Sequence, residues 1–335
     1  MIDPNSGTIW AYKPEDWQPD SAAPVVTAGN LSGVSLTPGQ TYSAASFATA
    51  SDPDGDPLSF EFVQSAATLD AGFFLLNGVA QEPGTVVTVT PQQLAANDLV
   101  WVAGEAGTSA AVALTVSDAA FNSTGVNLVT PSVGGNANTM NFASLPTGVN
   151  VNLASGAVLV GGVPVETLSG VTNIIGTAQA DTLTGGLGND TLDGGGGGDL
   201  LVGGSGNNTY IFDHGYGTET IQANVAVPTK NDTVLFGAGI TDDELWFSQS
   251  GNDLDVNLVG TTDNVIVQNW FANSAAQVQQ FETADGSVLM QAQVQNLVSA
   301  MASFGPPPSS SAGFGTTVPA QLEPVIAANW QHPSA

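Results

Sequence analysis

Residues 176 to 211 read GTAQADTLT, GGLGNDTLD, GGGGGDLLV and GGSGNNTYI, which are four consecutive segments of nine residues. One position of this repeat holds a carboxylate or an amide side chain, and the position two residues later holds a large apolar or aromatic side chain. The first set is Asp181, Asp190, Asp199 and Asn208, and the second is Leu183, Leu192, Leu201 and Tyr210. A short fixed period of this kind is typical of a solenoid, in which each repeat stacks on its neighbours.

The composition of each nonapeptide predicts its local structure. Six glycine-rich residues form a turn and three residues form a strand, so two repeats make one full coil. Glycine suits positions where the chain adopts a positive φ or passes close to a metal ion. The glycines at such positions are Gly186, Gly188, Gly195, Gly197, Gly204 and Gly206. An aspartate that closes the turn is a hard oxygen ligand, and turn carbonyls complete a calcium shell. The repeat therefore predicts a Ca²⁺-binding parallel β-roll.

Turns that are two repeats apart stack on the same side of such a roll. We therefore predict that Asp181 pairs with Asp199, and that Asp190 pairs with Asn208, each pair holding a calcium ion between stacked turns. The alternative is a flexible glycine-rich linker. A linker gives no reason for aspartate and leucine to recur in phase, so the solenoid is favoured.

These nonapeptides resemble the repeats of the RTX (repeats-in-toxin) family, and the resemblance covers residues 173–222. It implies a calcium-dependent roll and export through a type I secretion channel. Thr177 and Gln179 stand where the family pattern has glycine, so we expect the first turn to act as a cap. Asn208 replaces aspartate in the fourth repeat, which predicts a weaker site there.

The charge balance limits the classes of function. The chain has 335 residues, with 2 Lys and Arg against 30 Asp and Glu, and a formal net charge of −28. So few basic side chains cannot form a nucleic-acid-binding surface. Unneutralised negative charge opposes compaction, and divalent cations would relieve it. The sequence contains no cysteine, so calcium rather than disulfides is expected to stabilise the fold.

The sequence also bears on localisation. The opening MIDPNSG has neither a basic region nor an apolar region of the kind found in Sec signal peptides. No apolar run reaches the length of a transmembrane segment. Extracellular calcium modules bind with Kd values of about 10⁻⁴ to 10⁻³ M, too weak to fill in a cytosol. We therefore expect a secreted protein, extracellular or at the bacterial cell surface, exported by a route other than Sec.

The N-terminal part divides into two predicted segments. Residues 1–24 are polar but carry Trp10, Tyr12 and Trp17, which predicts either a disordered leader or an arm that docks into this chain or a neighbour. Residues 25–122 contain short alternating runs separated by turn signals such as Asn77-Gly78, which predicts an all-β sandwich. This segment resembles the Ig-like modules found beside RTX repeats.

A second acidic loop lies inside the predicted sandwich. Asp52, Asp54 and Asp56 alternate around Gly55 in the sequence SDPDGDPLSF, which resembles the calcium loops of cadherin-like domains. The loop is not an EF-hand, because its sixth position is Pro57 instead of glycine. The alternatives that remain open are a calcium loop and an acidic turn without metal.

The C-terminal part is predicted to complete the roll. Residues 123–172 form a β lead-in that caps the solenoid, as a stacked core requires. Residues 223–289 resemble the C-terminal domain associated with haemolysin-type calcium-binding repeats, and are expected to form a β-rich cap. Within residues 290–335, apolar side chains at helical spacing predict one short helix, followed by a linker and, by resemblance, an uncleaved type I secretion signal.

The sequence shows no recognisable catalytic constellation. The HExxH, GxSxG and Walker patterns are absent. We therefore predict a non-enzymatic protein that self-assembles as a homo-oligomer or homopolymer in a surface layer, filament or matrix. The alternative is an adhesin that binds glycans or surfaces through the sandwich. A secreted enzyme of unrecognised type is the minor alternative.

Overall fold

The computed structural model describes residues 22–29, 36–64, 71–109, 111–118, 123–129, 133–135, 138–223, 230–304 and 318–333. The three aromatic residues of the predicted N-terminal arm, Trp10, Tyr12 and Trp17, lie outside the described residues. The predicted linker between the C-terminal helix and the end of the chain also lies outside them, at residues 305–317.

The N-terminal part is formed by antiparallel strands. Its strands are β1 (Val25–Ala28), β2 (Thr41–Ser43), β3 (Ala48–Ser51), β4 (Ser59–Gln64), β5 (Gly72–Leu76), β6 (Val79–Ala80), β7 (Val86–Val89), β8 (Leu99–Ala103), β9 (Ala111–Ser117) and β10 (Ser123–Val129). A single-turn helix, α1 (Pro91–Ala95), lies between β7 and β8. Thr90 caps it, with reciprocal hydrogen bonds to Gln93.

Eight of these strands form two sheets of four strands that face each other across one core, and β1 and β3 form a separate two-stranded sheet. The strand orders among the described residues are β10-β9-β4-β7 and β2-β8-β5-β6. Phe62 of the first sheet lies 5.6 Å from Phe74 of the second, measured between ring centroids, and Phe74 lies 4.9 Å from Trp101. The predicted sandwich is therefore confirmed as an all-β unit, while its likeness to Ig or cadherin modules stays a prediction. Strand β10 pairs with β9 over its full length, so the sheet continues past residue 122.

The remaining strands build two long sheets of a roll. They are β11 (Thr139–Asn141), β12 (Val149–Asn152), β13 (Ala157–Val160), β14 (Val163–Thr167), β15 (Asn173–Ile175), β16 (Thr182–Thr184), β17 (Thr191–Asp193), β18 (Leu200–Val202), β19 (Thr209–Phe212), β20 (Thr218–Gln222), β21 (Thr233–Phe236), β22 (Leu245–Ser250), β23 (Asp253–Leu258), β24 (Asn264–Val267), β25 (Gln280–Glu282), β26 (Val288–Met290) and β27 (Trp330–Gln331). One sheet has the order β11-β15-β17-β19-β21-β25-β26-β27, and the other has the order β14-β13-β12-β16-β18-β20-β24-β23-β22.

The register of the roll follows the nonapeptide. Leu183 of β16 pairs in parallel with Leu201 of β18, and Leu192 of β17 pairs with Tyr210 of β19. Partners are thus two repeats apart, and successive repeats alternate between the two sheets. In each of β15 to β18 the middle residue is buried and its neighbours are half-buried. The parallel β-roll with two repeats per coil is therefore confirmed.

The parallel ladders continue after the nonapeptides end. Ile221 of β20 pairs with Leu201, and Val267 of β24 pairs with Ile221. On the other sheet, Val234 pairs with Tyr210, and Phe281 pairs with Val234. The coils here are longer, because extra residues leave the roll as loops and hairpins between strands. The C-terminal β segment therefore extends the same stack, and antiparallel strands close it.

The sandwich and the roll share an interior. Side chains of a strand alternate between its two faces, and Phe74 of β5 points into the sandwich core while Phe73 and Leu75 belong to the core of the roll. Met140 and Phe142, at the start of the roll, lie in that same cluster. The β2-β8-β5-β6 sheet is therefore covered on both faces, by the opposite sheet and by the roll.

The C-terminal segment returns to the roll. The predicted helix is α2 (Gln291–Met301), which buries Val294, Leu297, Val298 and Met301. A second helix, α3 (Glu323–Asn329), precedes β27, which pairs antiparallel with β26. Trp330 of β27 is buried, with its ring centroid 6.5 Å from that of Phe247. Residues that the sequence analysis placed in a secretion signal therefore add a strand and an aromatic side chain to the folded roll.

Two equivalent glycines of successive coils have different backbone requirements. Gly206 has a φ of +82°, and a Cβ atom added there would lie 2.1 Å from the carbonyl oxygen of Gly188. Gly188 does not adopt a positive φ, and a Cβ atom added to it would meet no atom within 4 Å. Glycine is therefore a steric requirement at Gly206 but not at Gly188.

The first prediction uses this pair of glycines. A left-handed backbone conformation costs an alanine roughly 1–2 kcal/mol relative to glycine. Gly206→Ala should reduce the free energy of unfolding by more than this, because the new methyl group also clashes with the carbonyl oxygen of Gly188. At roughly 2–4 °C per kcal/mol, the Tm in saturating Ca²⁺ should fall by several degrees. Gly188→Ala is the matched control and should leave Tm within about 2 °C. Equal losses in circular dichroism melts of the two variants would contradict this reading of the turns.

Candidate metal centre

The predicted calcium ligands form a hydrogen-bonded column on each side of the roll. On the first side, the backbone N–H of Val149 donates to Asp181 Oδ1 at 2.6 Å, and the N–H of Asp181 donates to Asp199 Oδ1 at 2.7 Å. The carboxylate of Asp181 also accepts from the N–H of Thr177 at 2.6 Å. The structure thus stacks Asp181 on Asp199, the pairing that the sequence predicts.

The second side repeats the arrangement. The backbone N–H of Asp190 donates to Asn208 Oδ1 at 3.1 Å, and the N–H of Asn208 donates to Asp232 Oδ1 at 2.9 Å. The N–H of Asp232 in turn donates to Gln279 Oε1 at 2.7 Å. Asp190 and Asn208 are therefore stacked as the sequence predicts, and the column continues through residues that lie outside the nonapeptides.

The carboxylates of these columns are buried without enough positive charge to balance them. Asp181, Asp190, Asp199 and Glu219 are each at most 4% exposed. Burial raises the pKa of each of these carboxyl groups above its ordinary value. The hydrogen bonds that the three aspartates accept only partly offset this rise. Asp199 Oδ2 and both carboxylate oxygens of Glu219 have no hydrogen-bond partner. Buried carboxylates are normally paired or bound to metal, so these residues fit a cation.

The carboxylate that closes each turn packs directly against the first glycine of that turn. A Cβ atom added to Gly176 would lie 2.4 Å from Asp181 Oδ2 and 2.4 Å from the carbonyl oxygen of Gly194, one coil later. A Cβ atom added to Gly185 would lie 2.8 Å from Asp190 Oδ2 and 2.2 Å from the carbonyl oxygen of Gly203. Carboxylate and carbonyl oxygens are the ligands that Ca²⁺ takes in proteins. In both turns, a carboxylate oxygen and a backbone carbonyl oxygen therefore lie beside the same glycine.

The turn glycines contribute in different ways. Positive φ values occur at Gly195, Gly197, Gly204 and Gly206, but not at Gly186 and Gly188. The N–H of Gly186 instead donates to Asp190 Oδ2 at 2.7 Å and orients that carboxylate. Gly188 lies beside Leu187, which is 85% exposed at the tip of its turn. Glycine thus allows left-handed backbone in the third and fourth turns and close approach to the carboxylate in the second.

Glu219 and Asp232 are further buried acidic residues of the roll that the nonapeptide pattern does not predict. Glu219 precedes the inward Ile221 by two residues, as Asp199 precedes Leu201, and Asp232 precedes Val234 in the same way. Both acidic side chains are 1% exposed. The spacing of an acidic residue two positions before an inward aliphatic residue is therefore the same as in the nonapeptides. The segments around Glu219 and Asp232 lack the glycine-rich turn, so this spacing alone did not identify them.

The acidic loop of the sandwich forms a compact turn. Asp52 Oδ1 accepts from the N–H of Asp54 at 2.8 Å and from that of Asp56 at 3.2 Å. Asp54 Oδ2 accepts from the N–H of Ala22 at 3.2 Å, and Gly55 has a φ of +83°. These are the bonds of an aspartate-stabilised turn. The calcium role of Asp52, Asp54 and Asp56 stays a prediction.

Two findings bear on the kind of site and on membrane association. In the part of the chain that the structure describes, no three His, Cys, Asp or Glu side chains gather into a group that could hold a metal. No helix among the described residues is long and apolar enough to cross a membrane.

Comparison with known proteins agrees with this geometry. Residues 175–210 match the family model of the RTX calcium-binding nonapeptide repeat, and residues 253–293 match that of the haemolysin-type calcium binding protein related domain. The chain is 38% identical over 93 residues to the iron-regulated protein FrpA of Neisseria meningitidis serogroup C. That match covers 27% of this chain and 8% of the length of FrpA.

The matches coincide with the structure. The nonapeptide match spans β16, β17 and β18, where the carboxylates are stacked, and the second match spans the strands that close the roll. Repeats of this family bind Ca²⁺, and proteins that carry them are typically exported by type I secretion. The chain therefore contains RTX calcium-binding nonapeptide repeats, followed by a haemolysin-type calcium binding protein related domain.

Proposed function

We propose that this chain is a secreted structural protein of the bacterial cell surface whose roll folds on Ca²⁺ after export. The observation that carries the proposal is the set of buried carboxylates in the roll that lack counter-charge. The chain has two basic side chains other than histidine, and one of them, Lys230, already pairs with Asp232 at 3.1 Å. The remaining negative charge of the columns needs ions from the solvent.

Mass action makes calcium an effective trigger. An ion that binds the folded state alone stabilises it by about 1.4 kcal/mol per site at ten times Kd. Several such sites contribute a large part of a domain stability of about 5–15 kcal/mol. The expected Kd of about 10⁻⁴ to 10⁻³ M lies above the 10⁻⁷ to 10⁻⁵ M range of intracellular calcium sensors. Calcium binding and folding therefore occur together outside the cell and not inside it.

Export by a type I channel fits such a folding switch. A chain with a net charge of −28 and empty calcium sites stays extended and soluble, which suits passage through a channel. The segment proposed as the secretion signal contains β27, which pairs with β26 in the folded protein. The signal is accessible while the chain is unfolded and becomes part of the roll once calcium is bound.

Self-assembly is the further part of this proposal, and its support lies in the sandwich. Among the described strands, β6 and β7 are at the edges of their sheets. They carry Val79 and Val86, which are 60% and 58% exposed. Unpaired strand edges with exposed β-branched side chains favour pairing with another chain. Homopolymer growth through these edges suits a surface layer, filament or matrix.

The second prediction concerns calcium removal. Excess EDTA should abolish much of the β signal in far-UV circular dichroism and expand the protein in small-angle scattering, because the buried carboxylates repel one another. Addition of millimolar Ca²⁺ should restore both signals, whereas equal Mg²⁺ should not, since it binds with tighter geometric demands. Full β content and an unchanged Tm in EDTA would refute calcium-triggered folding.

The third prediction concerns pH in calcium-free buffer. Burial raises the pKa of Asp199 to about 7 and that of Glu219 to about 9, so the folded state binds more protons than the unfolded chain. Stability from these groups is fully present below their unfolded pKa values of roughly 4 and is lost as pH rises through the raised values. The Tm of calcium-free protein should therefore be higher at pH 5 than at pH 8.

Saturating calcium provides the control for the pH series. Bound Ca²⁺ stabilises the ionised carboxylates, so protons and calcium compete and the pH dependence should flatten or reverse. A Tm of calcium-free protein that rises between pH 5 and pH 8 would show that the buried carboxylates are already compensated within the chain.

The fourth prediction tests assembly. Electron microscopy and light scattering should show ordered polymers with Ca²⁺ that dissolve in chelator. Val86→Lys should prevent them, because a charge on an edge strand blocks strand pairing, whereas Phe304→Lys, which adds the same charge at an exposed apolar residue outside any strand, should not. Monomers at all calcium concentrations would remove the assembly proposal, and glycan binding by those monomers would favour the adhesin alternative.

A further inference from the structure

The first glycine of the third turn, Gly194, faces two side-chain oxygens. A Cβ atom added to it would lie 2.3 Å from Asp199 Oδ2 and 2.8 Å from Glu219 Oε2. In the first and second turns, the equivalent point is shared by a carboxylate and a backbone carbonyl of the following coil. At Gly194 the carboxylate of Glu219 takes the place of that carbonyl, although Glu219 belongs to β20, after the last nonapeptide.

The two oxygens that meet at Gly194 have no other partner. Glu219 is 1% exposed and Asp199 is 2% exposed. Among the described residues, neither Glu219 oxygen has a hydrogen-bond partner in good geometry, and neither does Asp199 Oδ2, although the backbone N–H of Asp199 lies close enough to act on the Glu219 carboxylate. Two buried carboxylates that lie against one point repel each other strongly. Such a pair requires either a cation between the two groups or a proton on one of them.

The other side of the roll shows how the chain supplies a cation when it has one. There the corresponding coil pairs Asn208 with Asp232, so one of the two side chains is neutral. The ammonium of Lys230 lies 3.1 Å from Asp232 Oδ2, and the lysine and aspartate side chains are 6% and 2% exposed. Lys230 also donates to the carbonyl oxygen of Ala223. One negative charge on that side thus has one positive charge, whereas no ion pair among the described residues includes Asp199 or Glu219.

We propose that Asp199 and Glu219 form a further calcium site, one coil beyond the Asp181 and Asp199 pair. Two carboxylates neutralise a divalent cation, and hard oxygen ligands favour Ca²⁺ over softer metals. Asp199 then serves two ions in succession, while Glu219 supplies a ligand that the nonapeptide pattern does not contain. The site rests on calcium binding by the repeats as proposed above.

The fifth prediction tests this site by counting ions. Glu219→Gln keeps the shape of the side chain and removes its charge, so the full-length variant should bind one Ca²⁺ fewer per chain in equilibrium dialysis. The rise in Tm caused by Ca²⁺ should also shrink, while the Tm in EDTA should stay unchanged or increase because a buried charge is removed. The matched control is Glu282→Gln, on strand β25 of the other sheet of the roll, where the side chain is only half-buried; it should change neither quantity.

The outcomes separate this site from the repeat sites. A wild-type chain that binds no Ca²⁺ would overturn the calcium-triggered folding proposed above. A wild-type chain that binds Ca²⁺, together with a Glu219→Gln variant of equal stoichiometry and equal Tm increment, would overturn only the site at Glu219. That result would mean that the two carboxyl groups share a proton instead.

A direct measurement on wild-type protein does not depend on how the variant folds. A crystal structure grown with Ca²⁺ should show an anomalous scattering peak between Asp199 and Glu219. A peak between Asp181 and Asp199 without one at Glu219 would refute the further site and leave the repeat sites standing.

Discussion

The burial of carboxylates at successive turns of the roll is the constraint on which the rest of the structure depends. Asp181, Asp190 and Asp199 close turns whose backbone N–H groups hold them in place, and each is nearly inaccessible to solvent. Hydrogen bonds from backbone N–H groups stabilise the ionised form, but the cost of removing charge from water is larger. The folded roll therefore needs cations to neutralise its buried carboxylates, and the two basic side chains of the chain are too few for this.

The need for cations explains why the strand and the turn of each repeat stabilise the roll in different ways. The strand triplet supplies one buried aliphatic or aromatic side chain, a modest contribution of about 1.5–3 kcal/mol before chain entropy is counted. Ordering nine residues costs more than that, so a short roll is marginal without its ions. The longer coils after residue 211 bury larger side chains. Phe212 packs edge-on against Phe236, which stacks on Phe281 in the same interior, so the closing part of the roll depends more on apolar packing.

The shared interior links the ends of the molecule. Phe73 of the sandwich lies in the same hydrophobic cluster as Met140 at the start of the roll, and Trp330 lies in it near the end of the described chain. Residues far apart in sequence are thus held by one core. A change in the order of the roll on calcium binding is expected to reach the sheet β2-β8-β5-β6, because one face of that sheet packs on the roll.

Sequence patterns predicted the roll well where the period is strict. The recurrence of aspartate and leucine every nine residues indicated two repeats per coil and the stacking of Asp181 on Asp199. The signal failed at Glu219 and Asp232 because coil length is no longer constant there: Leu201 pairs with Ile221 and Ile221 with Val267. Loops absorb the extra residues, and a fixed spacing cannot reveal partners whose separation varies.

The amino-acid sequence by itself determined the all-β class, the calcium chemistry of the repeats and the excess of negative charge, because these follow from local periodicity and composition. The tertiary structure alone decided which carboxylates meet. The convergence of Asp199 and Glu219 on Gly194, the pairing of Lys230 with Asp232 and the docking of the sandwich on the roll all depend on register between distant strands. That register is set by the packing of the whole stack, which no single segment specifies.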